Sequence, residues 1–188
     1  MSGLETLDVG QANELKLAFR RHGWTNEDVK SLCEGDILAQ FLRVCRGFAE
    51  IKEIECVIDC DADPFLPEGW RVEQHLKSGS FKWDPTEVEL YLDAGQKDGK
   101  VISGHELQKK LEGKRVLNAN VLDWLLAHPQ FIPESWKGKF VFFWGTIYRD
   151  GCGSLSVRYL FWNGIGWRWR YCWLVDYFRG LDPAALCK

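Results

Sequence analysis

The run Trp167-Arg168-Trp169-Arg170-Tyr171-Cys172-Trp173-Leu174 alternates with period two. In a β-strand successive side chains point to opposite faces. Trp167, Trp169, Tyr171 and Trp173 then share one face, with Arg168 and Arg170 on the other. A helix could not put four aromatic side chains in one row at this spacing. The chain must therefore build a sheet with a strongly aromatic surface. That surface is either the core of the sheet or a platform on which a flat ligand stacks.

Two further β-like runs lead into it. Phe140 to Tyr148 is apolar on both faces, as expected of a central strand covered on both sides. Leu155 to Trp162 follows, and its odd positions Leu155, Val157, Tyr159 and Phe161 match the Trp ladder in character. Asp150-Gly151-Cys152-Gly153 and Asn163-Gly164-Ile165-Gly166 supply the turns. Six of the ten tryptophans lie between Trp136 and Trp173. The reading is a three-stranded aromatic meander with one continuous aromatic-aliphatic face and Arg158, Arg168 and Arg170 opposite it.

The first fifty residues have a different character. Leu15, Leu17, Ala18 and Phe19 form an apolar stripe that ends at Gly23. Thr25 with Asp28 makes an approximate capping box, and Asp36 precedes a helix carrying Ile37, Leu38, Phe41, Leu42 and Cys45. Three short helices suggest a helix-turn-helix, but residues 11–50 carry six basic and six acidic side chains and no basic face. Ile51 to Asp63 is expected to be a strand, with further strands at Val88–Leu92 and Lys100–Ile102. Helices are expected from Ser103 or Gly104 to Gly113 and from Asn118 or Asn120 to Pro129. The tail after Asp182-Pro183 reads as a loose extension. The expected organisation is a helical segment over 1–50 and an α+β domain over 51–188, or one domain overall.

Hydrophobic residues at 46% and charged residues at 27% fit a globular chain, and a net charge of −3 argues against non-specific coating of nucleic acid. The charge is uneven: residues 51–133 hold 10 Lys/Arg against 15 Asp/Glu, and residues 134–180 hold 7 against 3. No run is long and apolar enough to span a bilayer, and the first residues have no signal-peptide pattern. Seven cysteines without CxxC pairs fit a reducing cytoplasm better than an oxidising compartment. No GxGxxG, GxxxxGK[ST] or GxSxG motif occurs.

Two constellations are candidate sites. Asp59, Asp61 and Asp63, on alternate positions of the expected strand, could gather a divalent cation such as Mg²⁺ or Ca²⁺ for a metal-dependent hydrolase. The competing reading is an acidic edge that deters aggregation. Cys56 and Cys60 are expected on the apolar side without metal. The second constellation is the ladder Trp167, Trp169, Tyr171 and Trp173 with Arg158, Arg168 and Arg170, which could take a partner or stack single-stranded nucleic acid.

Several strings resemble a family of small bacterial proteins. They are Trp24-Thr25 with Glu34-Gly35-Asp36, Val57 to Phe65, Leu117 to Asp123, Ile132 to Lys139 and Phe143 to Asp150. The resemblance covers nearly the whole chain and implies a bacterial source, but it implies no activity and no site residue. The expected fold is α+β, with N-terminal and central helices on a mostly antiparallel sheet that ends in the aromatic meander. The expected function is a cytoplasmic binding or interaction protein with a protein partner, no membrane and no cofactor. The alternatives are the hydrolase and the nucleic-acid binder.

Overall fold

The structure is a computed structural model that describes residues 8–52 and 56–188. The chain divides into two compact units, Met1–Ile54 and Glu55–Lys188. Among the described residues no helix is long and apolar enough to cross a membrane.

The first unit holds α1 (Val9–Arg21), α2 (Asn26–Leu32) and α3 (Ile37–Cys45). Thr25 caps α2 through a capping box in which its hydroxyl accepts from Asp28 N while the Asp28 carboxylate accepts from Thr25 N at 2.7 Å. Asp8 and Gln11 make the same box at α1. Asp36, expected to cap α3, makes no such bond.

The second unit is α+β. Its strands are β1 (Val57–Asp59), β2 (Arg71–His75), β3 (Ser80–Lys82), β4 (Val88–Tyr91), β5 (Ile102–Ser103), β6 (Val141–Arg149), β7 (Leu155–Trp162), β8 (Trp167–Trp173), β9 (Tyr177–Phe178) and β10 (Ala184–Cys187). Between them lie α4 (Gly104–Leu111), capped by Ser103, and α5 (Ala119–Ala127), capped by Asn118. The main sheet runs β4-β10-β6-β7-β8, with β2 also paired to β6. All its pairings are antiparallel except β10 with β6.

The meander β6-β7-β8 forms as its pattern predicts, and every residue of β6 from Val141 to Tyr148 is buried. One layer covers each face of the sheet. The α5 side packs Val121, Leu122 and Leu125 onto Val141, Phe143, Leu160 and Trp167, and the α4 side packs Leu107, Leu111 and Phe178 onto Phe142, Trp144, Ile147 and Val157. Fully burying one such large side chain stabilises by roughly 1.5–3 kcal/mol.

Three expectations are corrected. The expected loose tail is instead β10, buried in the sheet between β4 and β6. Ala184 and Ala185 are small enough to sit where the sheet is covered on both sides, which a periodicity reading of four residues does not reveal. The strand expected over Ile51–Asp63 is only Val57–Asp59, and its residues 53–55 lie outside the described residues. The third correction concerns β7. Its register sets the even positions Ser156, Arg158, Leu160 and Trp162 opposite Trp173, Tyr171, Trp169 and Trp167. The ladder's face therefore continues through these residues, while Tyr159 packs with the α4 layer.

Candidate functional site

The register decides where the arginines go. Arg158 stands opposite Tyr171 on the ladder's own face, contrary to the sequence expectation, while Arg168 and Arg170 stand on the far one. Arg158 is 1% exposed, and its guanidinium donates to both Asp123 carboxylate oxygens, at 3.0 and 2.7 Å. It lies over the Trp169 ring at 4.2 Å and the Phe65 ring at 5.1 Å from the centroids. A buried cation needs such a partner, because leaving it unpaired costs several kcal/mol. Arg158 is thus a fixed part of the wall beneath the aromatics, with its charge already answered.

The ladder divides along its length. Trp167 is buried against Trp162 (centroids 5.6 Å apart), and Trp169 is half-buried over Arg158. Tyr171 and Trp173 are each 40% exposed. Trp70 meets Tyr171 edge-on at 4.6 Å, Tyr171 meets Trp173 at 5.6 Å, and Phe65 meets Trp169 at 5.8 Å. Together these rings make an aromatic strip in which Phe65, Tyr171 and Trp173 are exposed and Trp70 and Trp169 half-buried. The Trp173 indole N–H donates to Asp150 at 3.2 Å, and backbone donors of Ser154 and Cys152 hold the same carboxylate. Those bonds keep the Asp150 carboxyl below its ordinary range, the Ser154 amide first among the causes.

Arg168 is exposed and donates to its neighbour's carbonyl, Trp167 O, at 2.8 Å, and Arg170 lies over Phe161 at 5.6 Å. Neither shares a surface with the strip. A phosphate backbone laid along bases stacked on the strip would meet none of the three arginines. Asp150 lies there instead.

Asp59 ends β1, and the loop after it carries Asp61 and Asp63. Asp59 Oδ1 accepts from Asp61 N and Ala62 N, and Asp61 Oδ1 accepts from Gly79 N at 2.8 Å. The Asp59 carboxylate thus holds its own loop and that of Asp61 ties the loop to the segment before β3, and the three do not line one strand face, because β1 ends at Asp59. Among the described residues, no group of three or more His, Cys, Asp or Glu could hold a metal ion. Cys60 is buried, and that burial pushes its thiol up.

The resembling strings meet around α5. Asn118 donates to Cys60 O and Leu76 O, and Asn120 donates to Asp59 O and Ala62 O, so α5 fastens the aspartate loop to the sheet. Gly145 lets this happen. A Cβ there would sit 2.8–2.9 Å from the backbone and Cβ of Asn118. Thr146 accepts from Ala119 N at 3.0 Å and bonds His75 Nδ1 at 2.8 Å, while His75 Nε2 lies 3.1 Å from Cys60 O. A carbonyl only accepts, so in the neutral ring Nε2 carries the hydrogen. The result is a hydrogen-bonded frame beside a cleft of about 540 Å³ lined by Asp59, Asp63, Phe65, Asn120, Asp123 and Trp124, among others. Phe65 belongs to both the cleft and the strip.

Phe65, Trp70, Asp123 and Asp150 are the site residues that strand periodicity cannot find, because loops and a helix bring them there. Their only signal was aromatic or acidic character inside the resembling strings or just beyond them. No protein-family model matches the chain, and neither a curated protein nor a solved structure is matched by it.

Proposed function

We propose that this protein is a binding module without its own chemistry, which takes a protein partner on the strip of exposed Phe65, Tyr171 and Trp173 and half-buried Trp70. One observation carries the reading. A ladder buried at Trp167 stays open at Tyr171 and Trp173, although the same alternation runs through both halves. Aromatic side chains of this kind supply large, stiff contact area and are enriched at the centres of protein interfaces. The buried Tyr148 supports the reading, because its hydroxyl donates to Phe65 O at 3.0 Å and so ties the Phe65 backbone to β6. Single-stranded nucleic acid finds less support, since Arg158 is neutralised by Asp123 and the other two arginines lie across the sheet. The divalent-cation reading of Asp59, Asp61 and Asp63 finds less support as well, because the Asp59 carboxylate holds its own loop and the Asp61 carboxylate accepts from Gly79 N just before β3. A bacterial cytoplasmic setting belongs to the same proposal, and it is consistent with Cys33, Cys45, Cys60, Cys152, Cys172 and Cys187 forming no disulfide.

Panning a random peptide library against the intact chain tests the reading. Enriched peptides should lose at least tenfold in affinity on Tyr171→Ala or Trp173→Ala, with the melting temperature of each variant nearly unchanged. Enrichment that ignores these substitutions, or an oligothymidylate that outcompetes every peptide, would replace the reading.

A further inference from the structure

Among the described residues β8 is the last strand of its sheet, and one of its edges has no neighbour. The hydrogen-bond pattern tells which groups line that edge. Leu174 N donates to Leu155 O, and Asn163 N donates to Gly166 O. With the β7–β8 register, these bonds make the even residues of β8 the hydrogen-bonded partners of β7. The odd residues Trp167, Trp169, Tyr171 and Trp173 therefore aim their N–H and C=O groups outward. Two of these carbonyls are already taken: Trp167 O accepts from Arg168 Nη1, and Trp173 O accepts from Asp176 N. Among the described residues no partner reaches the N–H and C=O groups of Trp169 and Tyr171. The open ladder is thus centred on the two residues whose side chains join the buried and exposed halves of the aromatic face.

The flanking charges restrict what can pair there. Arg168 and Arg170 stand exposed on the opposite face, pointing away from the strip. An antiparallel strand bonding to Trp169 and Tyr171 sets one residue directly opposite Arg170, in the non-hydrogen-bonded pair where side chains come closest. A second copy of this chain is disfavoured at this edge. Centring two β8 strands on Arg170 places Arg170 against Arg170, centring them on Trp169 places Arg168 against Arg170, and centring them on Tyr171 pairs Trp169 with Trp173, whose carbonyl already accepts from Asp176 N. Like charges directly opposite each other destabilise a pair.

We infer that β8 accepts an extended peptide as an added antiparallel strand, with acidic side chains at alternate positions facing Arg168 and Arg170 and apolar side chains at the others facing the aromatic strip. The inference rests on the strip being the binding surface and names the chemistry of its partner. Main-chain bonds to Trp169 and Tyr171 give affinity, and the alternation gives register and specificity. The same arginines also serve the unbound protein, because charge on an open edge discourages uncontrolled strand pairing.

The test uses the intact chain and a blocked heptapeptide of alternating valine and glutamate, followed by tryptophan fluorescence. Saturable binding is expected, at least tenfold tighter than for the valine–lysine peptide. Methylating the backbone nitrogens that face β8 should weaken it at least tenfold, and the Arg168→Glu/Arg170→Glu protein should prefer the lysine peptide. Equal binding of both peptides, or indifference to N-methylation, overturns the inference. A dimer in light scattering that the glutamate peptide does not dissociate also overturns it. If the glutamate peptide fails while library peptides still bind and still require Trp173, the edge inference falls and the strip reading stands. If library peptides ignore Trp173 as well, both fall.

Discussion

Strands β6 and β8 lie one strand apart and are both rich in aromatics, yet they meet different environments. β6 is paired on both edges, by β7 on one side and by β10 and β2 on the other, and helices cover both its faces. Among the described residues β8 has one neighbouring strand, and Trp167 is its only buried residue. The density of aromatic residues therefore does not mark the core. Burial follows from the number of paired edges and from what lies over each face, and the same Trp-rich pattern becomes packing in one strand and surface in the other.

The comparison breaks most visibly at the ion pair that ties the two strands' common face to α5. Asp123→Ala should cost about 3–5 kcal/mol in urea unfolding, because Arg158 would stay buried without its partner. Asp123→Leu with Arg158→Met should recover most of that loss. A neutral Asp123→Ala would mean that Arg158 reaches water, and that the ladder's inner half is open too. Phe143→Ala in β6 should also cost about 3–5 kcal/mol, whereas Trp173→Ala in β8 should cost under about 1 kcal/mol. Equal losses in these two variants would abolish the distinction between the strands. Gly145→Ala should fall between them, at about 1–3 kcal/mol, since the added methyl meets the backbone of Asn118 and α5 must lift from β6.

The smallest effect is an acid response at the open end of β8. Hydrogen bonds, the Ser154 amide first, hold the folded pKa of Asp150 below its ordinary value. Its contribution is therefore fully present above that ordinary value and disappears as pH falls through the depressed folded value. Tryptophan emission should shift below the usual aspartate range in the wild type, and the shift should be absent in Asp150→Asn. A shift that persists in Asp150→Asn would assign the acid response to another carboxylate.

Much of the architecture was legible because it rests on local rules. Period-two runs bounded by Asp-Gly and Asn-Gly turns predict β6, β7 and β8, and Asp150 and Asn163 make the turn bonds those residues favour. Ser103 and Asn118 begin α4 and α5 where capping chemistry puts them. Other parts were out of reach for definite reasons. The face of Arg158 depends on the β7–β8 register, and a one-residue slip moves every side chain to the other side. Ala184 to Cys187 carries no periodic signal, and only the slot between β4 and β6 makes it a strand. The aspartates keep their spacing in sequence, but the chain turns after Asp59, so spacing along a strand no longer describes them.

What the sequence alone determined is the kind of object: an α+β chain with three aromatic strands in a meander and helices begun by identifiable caps. These features need only neighbouring residues, through side-chain alternation, turn geometry and the demand of helix ends for acceptors. The tertiary structure alone decided which half of the ladder is covered, which arginine is neutralised and which edge stays open. Those outcomes depend on pairings between distant segments: Arg158 with Asp123, Asn118 with Cys60, and β10 beside β6. Burial and charge compensation are properties of what a residue meets in space, and no local pattern in this chain encodes those meetings.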